Sequence, residues 1–171
     1  EYQAILDNTG YMNTNYPALG MVGSDNYYLN YSSWQAAYSA TERNAYIWAP
    51  VVYNGEPVID WNNPYKIVEF SNIALDGLNS IAENAENRSQ WDNIRGSALF
   101  YRAIAFYNLA QIFTGPYIAS QAGADLGIPV RLSSDVNQKS ISGSLQQTYD
   151  QITVDLRKAE QLLPTHPAVP T

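Results

Sequence analysis

A chain of 171 residues, 46% hydrophobic and 15% charged, is long enough to bury one sizeable core, and a single domain is the expectation. Its net charge of -7, with nine scattered lysines and arginines, argues against nucleic-acid binding through phosphate contacts, and the lack of cysteine excludes disulfides, thiol catalysis and cysteine metal sites. No run of about 18 apolar residues occurs, so no segment is suited to cross a membrane as a helix.

In chain order, Tyr2, Ile5 and Leu6 share a face and predict a short helix, broken soon after by Asn8, Gly10 and Pro17. From Gly20 to Tyr31 the chain reads as loop, with a turn at Gly23-Ser24-Asp25-Asn26. Ser32 or Ser33 is placed to cap a helix from Trp34 to Asn44. Asn54-Gly55 suits the turn of a small hairpin, although Pro50 interrupts one flank. Asn63-Pro64 reads as cap and first position of a helix running to about Ala82, with Ile67, Val68, Ala74, Leu75, Leu78, Ile81 and Ala82 inward and Glu69, Asp76 and Asn79 outward.

The stretch from Ser89 to Pro116 organises the rest. Ser89 and Asp92 have capping-box spacing, and Gly115-Pro116 reads as a stop signal. Between Gly96 and Phe113 the only strongly polar side chains are Arg102, Asn108 and Gln111, which predicts a core helix covered on several sides. Alanines 98, 105, 103 and 110 leave two stripes for close helix approach, and the short polar turn around Glu86-Asn87 makes the two long helices an antiparallel hairpin. Arg102 is expected to serve a structural partner, either helix-end carbonyls or a carboxylate. Beyond Gly115 about 25 residues show no convincing element, a length that usually marks a functional or pinned loop. Ser144 and Gln147 then form a capping box for a last helix ending before Pro164. Its apolar seam is Leu145, Tyr149, Ile152, Leu156, Ala159 and Leu163, with Asp150 and Asp155 largely outside. The final PTHPAVPT is proline-rich, and residues 165–171 read as a linker following a helical domain over 1–164.

These stretches together resemble a known family. RGSALFYRAIAFYNLAQIFTGPY is similar to the central motif helix of SusD/RagB-type outer-membrane nutrient-binding lipoproteins, Gly127-Ile128-Pro129-Val130 to the family's "lGiPl", and TYDQITVDLRKAEQLLP to the helix that follows. EYQAILDN with SDNYYLN resembles the family's opening, and NPYKIVEFSNIALDGL its preceding helix. Ser97-Ala98 keeps only part of the usual acidic-alanine pair, and Thr114 stands where tyrosine is common. The resemblance implies an all-α fold of tetratricopeptide-like helical hairpins with long irregular loops, the N-terminal part of a SusD-like fold. It further implies a cell-surface protein of the outer membrane that passes oligosaccharides or other nutrients to a SusC-like TonB-dependent transporter. The resemblance also implies a chain that continues beyond Thr171 and a lipidated anchoring cysteine before Glu1.

Catalytic signals are thin. His166 is the single histidine and sits in the proline-rich tail, no nucleotide, hydrolase or metalloprotease motif is present, and the pairs Asp125/Asp135 and Asp150/Asp155 are read as structural or solvated. Asp25-Asn26 reads as a turn and not a metal ligand, so neither a catalytic residue nor a metal or cofactor is expected. Binding signals are stronger. Ten of the 14 tyrosines lie at or before Tyr65, as do Trp34, Trp48 and Trp61. Sugars present apolar C–H faces rimmed by hydroxyls, which proteins meet with flat rings flanked by amides and carboxylates. The interval from Tyr27 to Trp61 has that mixture, and Trp34, Tyr38 and Tyr53 are the predicted ligand contacts, with Trp48, Trp61 and Trp91 assigned to the core. The competing reading is a helical scaffold that binds a protein partner only; a glycan-cleaving enzyme ranks third.

Overall fold

The computed structural model describes residues 1–165, so His166 and the rest of the proline-rich tail lie outside the described residues. Eight helices and one two-stranded ladder are described: α1 (Tyr2–Leu6), α2 (Thr9–Met12), α3 (Leu19–Val22), α4 (Tyr31–Gln35), α5 (Ala40–Tyr46), α6 (Ile59–Leu78), α7 (Arg88–Phe113), β1 (Leu126–Pro129), β2 (Ser142–Ser144) and α8 (Leu145–Leu162). Helix α7 is the centre of the core, with α6 and α8 against it and α1 on the α6–α7 pair. Trp61 meets Phe113, Asn72 meets Arg102 and Asn79 meets Arg95, so α6 and α7 run antiparallel, as the short connection between them predicts. Arg102 with Asp155 and Gln111 with Tyr149 show the same for α7 and α8. All four stripe alanines of α7 are buried, as are Leu99, Phe106 and Leu109.

Several boundaries differ from the sequence reading, each for a physical reason. Helix α6 starts at Ile59, and Pro64 lies inside it. As the sixth residue of the helix Pro64 removes the hydrogen bond to the Asp60 carbonyl, and the additional turn is held by Trp61 packing edge-on to Phe113 with ring centroids 4.9 Å apart. Helix α7 starts at Arg88 without the Ser89 cap, because Asp92 accepts from Arg88 Nε at 2.8 Å. Its end is set by Thr114, whose extended backbone turns the chain away while its hydroxyl donates to the Ala110 carbonyl at 2.8 Å. Gly115 therefore does not act as a left-handed stop.

The single helix predicted from Trp34 to Asn44 is two short ones. Asn30 caps the first, and Ser39 with Glu42 forms a capping box on the second. Asn54 and Gly55 do turn with positive φ, 45° and 84°, but no strands flank them. Instead Asn44 Nδ2 donates to the Val52 carbonyl at 3.0 Å, and Thr41 donates to Glu56 at 2.6 Å. The region expected to be structureless contains β1 and β2, paired antiparallel with Leu126 opposite Ser144 and Pro129 opposite Ser142. Gly127 has no room for a Cβ, which would meet Thr148 Oγ1 and lie 2.5 Å from the Ser144 carbonyl oxygen. The capping box of α8 forms as predicted.

The inward face of α8 is Leu145, Thr148, Ile152, Asp155 and Ala159, while Leu156 is exposed. Asp155, placed outside the apolar seam and read as structural or solvated, is 1% exposed and structural. Arg102, 6% exposed, holds it with Nε at 2.8 Å and Nη2 at 2.9 Å, and donates from Nη1 to Asn72 Oδ1 at 2.8 Å. Gln151 adds a donor to Asp155 at 2.8 Å. A buried bidentate pair with its remaining oxygens satisfied avoids the penalty of an isolated interior charge. The carboxylate partner expected for Arg102 is thus found, from a helix 53 residues away in sequence.

Candidate functional site

Residues 18 to 57 form a surface of short helices and turns laid over one end of the α6–α7 pair. Its anchors are single polar side chains. Asp60 Oδ1 accepts from the backbone of Ala18 at 2.7 Å and Leu19 at 3.4 Å, fixing the start of α3 to α6. The Tyr46 hydroxyl accepts from the Leu29 amide at 2.8 Å, and the Trp34 indole N–H donates to the Arg43 carbonyl at 3.0 Å. These bonds hold a chain that has little apolar core of its own, which leaves several of its rings in water.

Trp48 is the most informative of them. The sequence reading places it in the core, yet it is 74% exposed. Its backbone adopts φ 54°, a left-handed conformation uncommon for a bulky side chain and costing about 1–3 kcal/mol. The indole N–H donates to the Gly23 carbonyl at 2.7 Å, so the polar edge is tied down while the ring stays in solvent. A Cβ at Gly23 would lie 3.3 Å from the Ala45 carbonyl oxygen and 3.7 Å from the Trp48 indole nitrogen, so the turn at Gly23 packs tightly against the end of α5. The ring borders a cavity of about 430 Å³, walled also by Leu19, Val52, Tyr53, Gln111 and Phe113. That volume falls within the range of about 300–1,000 Å³ usual for small-molecule sites.

Among the predicted contacts, Tyr53 lies in this cavity, its ring stacked on Phe113 with centroids 6.5 Å apart. Its hydroxyl is buried without a hydrogen-bond partner, and burial, then the nearby Asp60 charge, raises its pKa above the ordinary tyrosine value. Trp34 and Tyr38 do not border the cavity. Trp34 is half-buried and packs at a tilt on Tyr31, while Tyr38 is 99% exposed. Tyr28 and Tyr31 are exposed as well. The three predicted residues are therefore spread over one aromatic surface and not gathered at one point. No local signal in the sequence separates the displayed Trp48 from Trp61, which is packed, because the difference rests on a long-range bond to Gly23.

Among the described residues no group of three or more histidines, aspartates and glutamates is gathered as a metal would need. Asp155 is committed to Arg102, and Asp135 accepts from the Asn137 amide at 2.9 Å. No helix among the described residues is long and apolar enough to cross a membrane.

The family model that matches covers residues 1–170 and is described as SusD-like, starch-binding and associating with the outer membrane. The chain belongs to the SusD-like family. Among curated proteins none matches it. Solved structures with the same fold include a SusD superfamily protein from Bacteroides thetaiotaomicron, 20% identical with TM-score 0.73, to which 95% of this chain and 37% of that one align. A SusD superfamily protein from Bacteroides vulgatus is 17% identical with TM-score 0.70, over 98% of this chain and 37% of the other. A SusD-like carbohydrate binding protein from Bacteroides vulgatus is 16% identical with TM-score 0.68, over 99% and 37%. This SusD-like chain spans little more than a third of the length of those structures. The helical fold expected from the sequence resemblance is the observed one, the small ladder aside.

Proposed function

We propose that this chain binds an oligosaccharide or polysaccharide through the aromatic surface of residues 27 to 53 and is the ligand-gathering part of a surface protein serving a SusC-like TonB-dependent transporter. One observation carries the reading. Trp48 is held in a costly backbone conformation by a hydrogen bond to Gly23, and the result is a large ring displayed beside a cavity. Strain of this kind persists where the surrounding structure over-determines it, commonly at ligand sites. Tyr53 forms the cavity wall, and Tyr38 and Trp34 extend the surface for a longer glycan. The family's description as starch-binding and outer-membrane-associated supports both the ligand class and the location; anchorage by a lipid is part of the proposal.

Affinity electrophoresis through gels containing amylopectin, arabinoxylan, galactomannan or polygalacturonate tests it. Retardation in at least one gel, lost in Trp48→Gly and weakened in Trp34→Ala, Tyr38→Ala and Tyr53→Phe, is the expected outcome. Migration unchanged by every polysaccharide, together with capture of the transporter, would instead make the chain a protein-binding scaffold.

A further inference from the structure

A second cavity, of about 320 Å³, lies between α6 and the segment that follows β1, away from the displayed rings. On the helix side it is walled by Trp61, Asn62, Tyr65 and Glu69, which recur at the spacing of one helix face. Across from them are Arg131 and Ser134. Trp61 and Tyr65 pack against each other with centroids 5.0 Å apart and are each only partly buried. Glu69 and Arg131 face the same space, yet the two do not form an ion pair. Arg131 donates to three neutral oxygens: the Gln138 carbonyl at 3.1 Å, Ser140 Oγ at 2.7 Å and the Asp135 carbonyl at 2.7 Å. Two of the five guanidinium N–H groups remain for another acceptor.

The wall opposite the helix is built in advance. Asn72, fixed by the buried Arg102, donates to the carbonyls of Arg131 at 3.1 Å and Ser133 at 3.2 Å. Asp76 accepts from both the amide and the hydroxyl of Ser134 at 2.8 Å, and Tyr65 donates to the Pro129 carbonyl at 2.8 Å. Ordering that a ligand would otherwise have to impose is already in place.

From these groups we infer a second saccharide subsite, one that takes a single ring of a neutral sugar, resting on the carbohydrate reading above. Glu69 and Arg131 offset each other in net charge, so a charged ligand of either sign gains no net attraction here. A neutral polyol suits both: vicinal hydroxyls donate to the Glu69 carboxylate and the Asn62 amide oxygen, ring and hydroxyl oxygens accept from Arg131, and the C–H face rests on the partly exposed Trp61 and Tyr65 rings. A row of rings joins this subsite to the first cavity, since Tyr53 stacks on Phe113, Phe113 meets Trp61 and Trp61 meets Tyr65.

The test is affinity electrophoresis of the wild type, Glu69→Gln, Asn62→Ala and Trp48→Gly in gels of amylopectin, arabinoxylan, galactomannan and polygalacturonate, with melting temperatures recorded for each variant. Glu69 and Asn62 are exposed, so both substitutions leave the fold intact. Expected is retardation in a neutral gel that weakens about tenfold in Glu69→Gln and measurably in Asn62→Ala, with melting temperatures unchanged. Wild-type affinity in both α6 variants, with loss in Trp48→Gly, overturns the subsite and leaves the first reading standing. Retardation by polygalacturonate alone overturns the neutral-ligand assignment. No retardation of any variant in any gel overturns both.

Discussion

Trp61, Tyr65 and Phe106 sit on the long helices with their rings against the core or against one another, whereas Tyr28, Tyr31, Tyr38 and Trp48, from the short helices and turns before residue 57, lie open to solvent. The residue types are the same; the backbone beneath them is not. In the long helices the face of each ring is set by periodicity, and burial follows from the neighbouring helix. In the N-terminal segment orientation comes from individual hydrogen bonds, such as Trp48 to Gly23 and Tyr46 to Leu29. A rigid bundle thereby supports a surface whose aromatic area is available to a ligand.

Substitutions divide along the same line. The largest effect on stability belongs to Arg102→Met, which leaves Asp155 buried without its partner and is expected to cost about 3–5 kcal/mol in chemical denaturation. A loss below about 1 kcal/mol would mean that the bundle does not depend on this pair. Gly127→Ala comes next: its methyl group collides with Thr148 and the Ser144 carbonyl, which ties β1 to the start of α8, and about 1–3 kcal/mol is expected by the same measurement.

Tyr65→Phe removes the bond to Pro129 at a cost of about 1 kcal/mol. It also has a pH signature. Burial raises the Tyr65 pKa above the ordinary tyrosine value, as it does more weakly for Tyr53 and Tyr101. A phenol whose folded pKa is raised stabilises the fold fully below the unfolded value near about 10, and that contribution is lost as pH rises through the folded value. Melting temperature is therefore expected to fall above about pH 10, less steeply in Tyr65→Phe. The smallest stability change belongs to Trp48→Gly, within about 1 kcal/mol of wild type, because relief of the left-handed strain offsets the lost bond to Gly23. Glycan retardation is nevertheless lost. A variant both unstable and unable to bind would mean that the loss of binding reports on the fold and not on the displayed ring.

How far the sequence reveals this arrangement depends on the range of the interactions. The Ser144–Gln147 box, the α7 stripes and the antiparallel hairpin are local patterns, and all are present. The burial of Asp155 is not local: hydropathy favours Leu156 for the inward face, but a guanidinium on another helix turns α8 so that Thr148 and Asp155 face in. The extra turn of α6 likewise depends on Trp61 meeting Phe113. Of the predicted ligand contacts, Tyr53 lines the cavity and Tyr38 is fully open, while Trp34 uses its N–H internally. Composition identified the aromatic interval; it carries no information on which ring turns outward at a strained backbone position.

The four tryptophans allow the central claim to be read in one titration, following the indole N–H resonances of ¹⁵N-labelled protein as an oligosaccharide cut from the retarding polysaccharide is added. Trp48 is expected to shift with saturation while Trp91, its indole nitrogen buried on α7, stays fixed. A Trp48 resonance that does not move while the saccharide binds elsewhere would contradict the displayed ring as the binding surface.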